Sequence, residues 1–134
     1  MTCLRGASAA EQILKNNADP RLRVLVVWEP ILPTDWRAPS WSTLRRIPDT
    51  RAKQFWDPNH IVAQELNRIA KEKPGQLQPA CCKQNGFLWD EAIIYKPQTK
   101  WKDEPSPAFV SGPVVKIAAG LEGAITAKNW PAQH

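Results

Sequence analysis

The segment from Arg23 to Asp35 constrains the fold of this chain more than any other. It opens with an uninterrupted apolar run, Val24 to Trp28, and ends in a loop that carries two prolines. Because no polar residue alternates with the apolar ones, we expect a strand over 23–28 that is buried on both faces, as in a parallel sheet. Pro30 ends this strand, since proline cannot donate a hydrogen bond to a neighbouring strand.

Helical patterns lie on both sides of this strand. Ser8 and Glu11 have the spacing of a capping box and predict a helix over 8–17. Asp57-Pro58 joins a capping residue to a proline at the first helical position, which predicts a helix over 58–73 after a short strand over 52–56. A shorter helix is expected over 40–46, with Ser40 as its cap. The apolar stripe of the 58–73 helix comprises Ile61, Val62, Leu66, Ile69 and Ala70.

The last third of the chain predicts two adjacent strands and a helix. The strands are expected over 92–95 and 108–111, with Val114 and Val115 as an extension of the second, and the helix over 117–128. Helices between strands imply right-handed crossovers and a mostly parallel core, closed on one side by an antiparallel pair. The length of 134 residues suits a single domain over 1–134.

Composition narrows the classes of protein to consider. The net charge of +5 is spread along the chain, which counts against nucleic-acid binding. No apolar run is long enough to span a bilayer and no signal-peptide pattern is present, so we expect a cytoplasmic protein. Three cysteines, an odd number, suit a reducing compartment better than a secreted disulfide framework. No glycine-rich phosphate loop is present, and we expect no cofactor.

Three segments together resemble a subset of bacterial thioredoxin-like proteins that has no assigned activity. They are the strand over 23–28, the Pro-Ile-Leu-Pro-Thr-Asp loop over 30–35, and the segment from Asp49 through Arg51 to Phe55-Trp-Asp-Pro58. The resemblance covers residues 3–128. It implies a thioredoxin-like three-layer α/β fold with a mixed four-stranded sheet flanked by helices. It also implies an N-terminal truncation relative to the family, with the first strand missing.

The same resemblance directs attention to Cys3. Thioredoxins carry Cys-x-x-Cys at the start of the first helix, where the helix dipole lowers the pKa of the leading thiol. Cys3 stands alone there, either as the second Cys of the motif or as the leading Cys of a monothiol version that ends at Gly6. The family also places a cis-proline before a strand beside the thiol. Pro107 is the best candidate, and Pro105 and Pro113 are less well placed.

The adjacent Cys81 and Cys82 have several interpretations. They are two loop thiols, or one of them forms a disulfide with Cys3 if the Cα atoms approach within about 7 Å. Soft-metal binding by all three thiols is a further alternative, but no Cys-x-x-Cys and no histidine at ligand spacing accompany them, so we predict no metal site. His60 is interpreted as a surface or capping-region residue, and Asp90 as a turn residue.

These observations favour a binding or interaction module that lacks a complete dithiol. The missing first strand would leave an open sheet edge beside residues 23–28, and such edges recruit another chain. We therefore expect a homodimer, with a protein as the alternative partner. The competing functions are a thiol oxidoreductase that uses Cys3 with a second thiol, and soft-metal handling by Cys3, Cys81 and Cys82.

Overall fold

The structure is a computed structural model that describes residues 2–32, 34, 36–73, 75, 83–84, 86–103, 107 and 109–126. Its helices are α1 (Thr2–Asn16), α2 (Trp41–Leu44), α3 (Ile61–Glu72) and α4 (Val114–Thr126). Its strands are β1 (Val24–Trp28), β2 (Ala52–Trp56), β3 (Lys83–Gln84), β4 (Phe87–Leu88), β5 (Ala92–Ile94) and β6 (Phe109–Ser111). Within these residues, no helix has the length and apolar character needed to cross a membrane.

The six strands form three two-stranded sheets. β1 and β2 are parallel, with Val24 opposite Ala52 and Trp28 opposite Trp56. β3 pairs with β4, and β5 pairs with β6, both antiparallel. The mixed α/β class, the parallel pair and the late antiparallel pair are therefore confirmed. The four-stranded sheet is not formed by the strands that the structure describes, because β5 and β6 pair with each other and not with β1 or β2.

One face of the β1–β2 pair packs on α1 and on the segment that follows α2. The residues that share this inner cluster are Ala7, Ala10, Leu14, Leu22, Val24, Val26, Trp28, Ile47 and Ala52. Trp28 Nε1 donates to Gln54 Oε1 across the two strands at 3.0 Å. Gln54 Nε2 in turn donates to the carbonyl oxygens of Leu44 at 2.8 Å and Ile47 at 3.2 Å. The inner face therefore combines apolar burial with a satisfied polar network.

Helix α1 begins at Thr2, six residues before the expected start, so the prediction of a capping box at Ser8 is wrong. Ser8 Oγ donates instead to the Leu4 carbonyl oxygen at 3.1 Å, within the helix. Serine inside a helix often bonds the carbonyl four residues back, and the sequence spacing does not distinguish this arrangement from a cap. Glu11, the other half of the expected box, is buried.

Arg51 connects the end of α1 to the start of β2. Its guanidinium donates to the carbonyl oxygens of Leu14 at 2.7 Å, Asp19 at 3.0 Å, and Asn17. Carbonyls at a helix end lack partners within the helix, and the helix dipole makes this end negative, so a cation is well placed here. Asp49 Oδ2 accepts from Arg51 Nη2 at 2.7 Å, and the Arg51 hydrogen bonds lower the pKa of Asp49 to about 2.

Asp57 starts helix α3, but not in the expected register. Asp57 Oδ1 accepts from the Ile61 amide at 3.0 Å and Asp57 Oδ2 from the Val62 amide at 2.9 Å. The capping role is thus confirmed, whereas the helix begins at residue 61 and not at 58. The buried residues of the helix are Ala63, Leu66 and Ile69, of which the last two form a cluster against Ala70 and Ile93. Ile61 and Val62 lie in the first turn and are exposed. The prediction that these two residues belong to the buried stripe is therefore wrong.

Helix α4 begins at Val114, directly after a cis peptide bond between Gly112 and Pro113. The prediction that Val114 and Val115 extend a strand is therefore wrong. Asp90 Oδ1 accepts from the Val114 amide at 3.3 Å, which provides one partner for the free amides at the helix start. Residues 127–128 of the predicted helix and residue 108 of the predicted strand lie outside the described residues.

Arg51→Ala should clearly lower the urea midpoint of unfolding, because three backbone carbonyls and one carboxylate lose a charged donor. Arg21 offers a matched control. It forms the same bidentate pair with the aspartate two residues earlier, at 2.8 Å, but its side chain is 85% exposed. Arg21→Ala should leave the urea midpoint of unfolding nearly unchanged. Equal losses in the two variants would contradict the role assigned to Arg51.

Candidate functional site

The outward face of the β1–β2 pair consists of Leu25, Val27, Lys53 and Phe55. Alternation along each strand places these residues opposite the inner cluster, and the register sets Leu25 beside Lys53 and Val27 beside Phe55. Leu25 is 63% exposed, Phe55 50% and Val27 37%. The expectation that both faces of β1 are buried is therefore wrong.

Such an outward face is unusual for parallel strands. Parallel sheets are found almost only where both faces are covered. Helix α3 follows β2 in the chain, but its buried residues Leu66 and Ile69 pack against Ile93 of β5. The part of the chain that the structure describes thus leaves Leu25 and Phe55 largely in contact with solvent.

Polar side chains gather where the two parallel strands end, and we call Glu29, Asp57 and His60 the carboxyl-edge cluster. The Asp57 amide donates to the Trp28 carbonyl oxygen at 2.8 Å, which holds the two strand ends side by side. His60 Nδ1 lies 3.2 Å from Glu29 Oε2, and both side chains are mostly buried. In α/β proteins, ligands bind beyond the carboxyl ends of parallel strands.

The electrostatics of this cluster are set by its burial. Burial raises the pKa of Glu29, the hydrogen bond and charge of His60 oppose that rise, and the negative charge of Asp57 adds to it. His60 has a φ of 55°, in the left-handed region that residues other than glycine seldom adopt. Backbone outliers of this kind concentrate at functional sites. The cluster therefore places a desolvated carboxylate against an imidazole at the carboxyl edge of the parallel strands.

The structure places Cys3 in the first turn of α1, one turn before Gly6. A Cβ atom built at Gly6 would lie 3.1 Å from Asp90 Oδ1, so the Asp90 carboxylate is close to this face of the helix. Burial raises the pKa of Asp90, and Asp90 Oδ2 is buried without a hydrogen-bond partner among the described residues. Asp90 also has a positive φ of 53°.

The other predicted thiols, Cys81 and Cys82, lie outside the described residues. Pro107 is described, but the residue before it is not, so the isomer of the bond between them is not described either. Among the described residues, the structure contains a cis peptide bond before Pro113. The sequence analysis ranked Pro113 below Pro107 as the cis-proline candidate. Within the described ranges, no group of three His, Cys, Asp or Glu residues is arranged to hold a metal ion.

Sequence reasoning missed the pairing of Glu29 with His60. His60 is the N-cap residue of α3, so its interpretation as a capping-region residue is confirmed, but its side chain is mostly buried against a carboxylate 31 positions away and does not lie on the surface. One signal was available. Glu29 and Asp57 each follow directly on a predicted strand, and parallel pairing brings such positions to the same edge.

Comparison of the chain with protein-family models, with curated proteins and with solved structures gives no match. What this chain binds must therefore be inferred from its own residues.

Because the pKa of Glu29 is raised in the folded protein, we expect the free energy of unfolding to depend on pH. As the pH rises from about 4.3, the ordinary glutamate value, the unfolded chain releases this proton before the folded chain does. Folding therefore loses stability across this window, up to the raised pKa of the folded state. Relative to Glu29→Gln, which keeps an acceptor for His60, the native protein should become progressively less stable as the pH rises from about 4.3 to the raised pKa of the folded state.

Unfolding free energies of both proteins, measured by urea titration at several pH values, give this difference directly. Glu72→Gln, on the exposed side of α3, controls for the loss of one carboxylate. A difference that stays constant with pH, or that changes in the opposite direction, would show that Glu29 is not desolvated in the folded protein.

Proposed function

We propose that this chain is a thioredoxin-like domain without a complete dithiol motif, and that it serves as a protein-interaction module. The order of elements, from α1 through the parallel pair and α3 to the antiparallel pair and α4, supports the thioredoxin-like assignment. One observation carries the proposed function: Leu25, Val27 and Phe55 are exposed on a face that parallel strands normally bury. A contiguous exposed apolar patch marks an interaction surface.

A second copy of the chain suits this surface. Lys53 stands toward the amino end of the outward face, whereas Glu29 and Asp57 lie beyond its carboxyl end. A two-fold axis that lies between the two sheets, parallel to them and perpendicular to the strands, would bring the two apolar faces together and set the basic end of each against the acidic end of the other. Closed two-fold dimers are the commonest assemblies of identical chains, and their interfaces are self-complementary in this way.

Phe55→Lys should convert the protein from a dimer to a monomer. Light scattering after size exclusion should give twice the chain mass of 15.1 kDa for the native protein and the single chain mass for the variant. The physical reason is that a lysine at position 55 places two charges against an apolar surface across the two-fold axis. The far-ultraviolet spectrum should not change, because Phe55 is half exposed in the single chain.

Ile61→Lys is the matched control. Ile61 is, like Phe55, an exposed apolar residue, at 64%, but it lies in the first turn of α3. This variant should keep the native mass. A native protein that elutes as a single chain at low micromolar concentration would contradict the proposal, as would equal dissociation by the two substitutions.

A thiol-dependent redox activity is the second candidate function, and the surroundings of Cys3 favour it. Cys3 lies at the positive end of the α1 dipole, which lowers the pKa of a thiol. Gly6, one turn later, approaches the Asp90 carboxylate, whose pKa burial raises. A thiol at a helix start has one part of a reactive cysteine, the positive end of a helix dipole. A second thiol, from this chain or another, would complete a disulfide cycle.

Under this second proposal, Cys3 should react with iodoacetamide faster than Cys81 or Cys82. Mass spectrometry of the alkylated peptides against pH should give Cys3 a midpoint below about 8.5, the value of a free thiol. Asp90→Asn should lower this midpoint further, because it removes a negative charge that opposes the thiolate. Three equal rates, or a Cys3 midpoint at the free value, would remove the redox function.

A further inference from the structure

Two tryptophan–arginine pairs lie on the surface around α2. Trp36 and Trp41 are each 71% exposed, the highest values among the large apolar residues of the described chain. The guanidinium carbon of Arg37 is 4.8 Å from the centroid of the Trp36 ring, and that of Arg45 is 4.2 Å from the centroid of the Trp41 ring. Each pair therefore joins a broad aromatic surface to a fixed positive charge.

The charge of this region is entirely positive. Between Trp36 and Pro48 the chain contains three arginines and no acidic residue. The third arginine, Arg46, donates from Nη1 to Ser8 Oγ at 3.3 Å, which ties the segment to α1. Residues 1–56 hold nine Lys and Arg against five Asp and Glu, and thus a net charge of +4 out of the +5 of the whole chain.

A shallow groove of about 840 Å³ lies at the amino ends of β1 and β2. Its lining includes four cations, Lys15, Arg23, Arg51 and Lys53, and a single carboxylate, that of Asp49, which pairs with Arg51. Pro48 also lines the groove and follows Arg45 by three residues. The Cα atoms of Arg45 and Pro48 are therefore at most about 11 Å apart, so the groove begins close to the pair formed by Trp41 and Arg45.

We propose that the surface formed by the two tryptophan–arginine pairs and the basic groove binds single-stranded nucleic acid. Proteins that bind single strands combine a basic groove along the backbone with aromatic rings on which unpaired bases stack. Trp36 and Trp41 supply the rings, and the arginines beside them hold positive charge where the adjacent phosphates pass.

Two features favour a single strand over other anionic partners. A duplex keeps its bases stacked on each other, so it cannot use the exposed indoles. An anionic bilayer is a broad surface, whereas the cations here line a concave groove beside the rings. The sequence did not reveal this arrangement because Lys15, Arg23 and Lys53 are far apart along the chain and converge only when β1 and β2 pair.

Fluorescence anisotropy with a labelled oligothymidylate of about 20 nucleotides tests the proposal. The double variant Trp36→Ala with Trp41→Ala should bind at least roughly 10-fold more weakly than the native chain, because two stacking surfaces are lost. The double variant Lys15→Ala with Arg23→Ala should weaken binding and also reduce its salt dependence, because fewer phosphate counterions are released. Lys71→Ala with Lys116→Ala, exposed lysines of α3 and α4, is the charge-matched control and should leave affinity within about twofold after correction for salt.

An abasic phosphodiester of the same length separates stacking from charge. It should bind more weakly than the oligothymidylate, and the tryptophan substitutions should not affect it. Equal affinity for the two polymers, or stronger binding to a duplex of the same length, would overturn the proposal. Binding to phosphatidylserine vesicles without binding to the oligonucleotide would assign the surface to a membrane instead. Thermal melts of each variant establish that it is folded, which the exposure of both tryptophans leads us to expect.

Discussion

The rest of the described fold depends on the way Arg51 holds the end of α1 against the start of β2. Its guanidinium binds carbonyl oxygens of Leu14, Asn17 and Asp19, at the end of the helix and just beyond it. The same group is fixed by Asp49, whose own position precedes β2 by three residues. Because β1 follows the end of α1 and pairs with β2, one side chain fixes the three elements that surround the inner cluster.

This arrangement buries only one side of the parallel pair. Val24, Val26 and Trp28 face α1, while Leu25, Val27 and Phe55 face outward. In a larger sheet a crossover helix would cover the second side, but α3 packs against β5 instead. The uncovered side provides the physical basis for the interaction module that we propose. The basic surface around α2 and the amino ends of the strands meets this uncovered side at Lys53, which belongs to both.

Local patterns predicted much of this fold. The apolar run before Pro30 gave β1, Asp57 gave the cap of α3, and Ser40 gave the short α2, because each depends on neighbours in sequence. Properties that depend on distant contacts were not predictable. The uncovered face follows from where α3 packs, and the burial of His60 follows from its contact with Glu29. The left-handed backbone of His60 delays the start of α3, and no sequence signal for it was recognised.

Disulfide trapping across the proposed two-fold axis tests the central claim most directly. Val27→Cys, in a chain whose three native cysteines are changed to serine, places a thiol in the outward face near the axis. Under mild oxidation this variant should form a covalent dimer rapidly. The rate should not change on dilution as long as the non-covalent dimer persists. Lys116→Cys, exposed on α4, should cross-link slowly and only at high concentration. Equal, concentration-dependent cross-linking of the two variants would show that the outward face of β1–β2 does not bind a second copy.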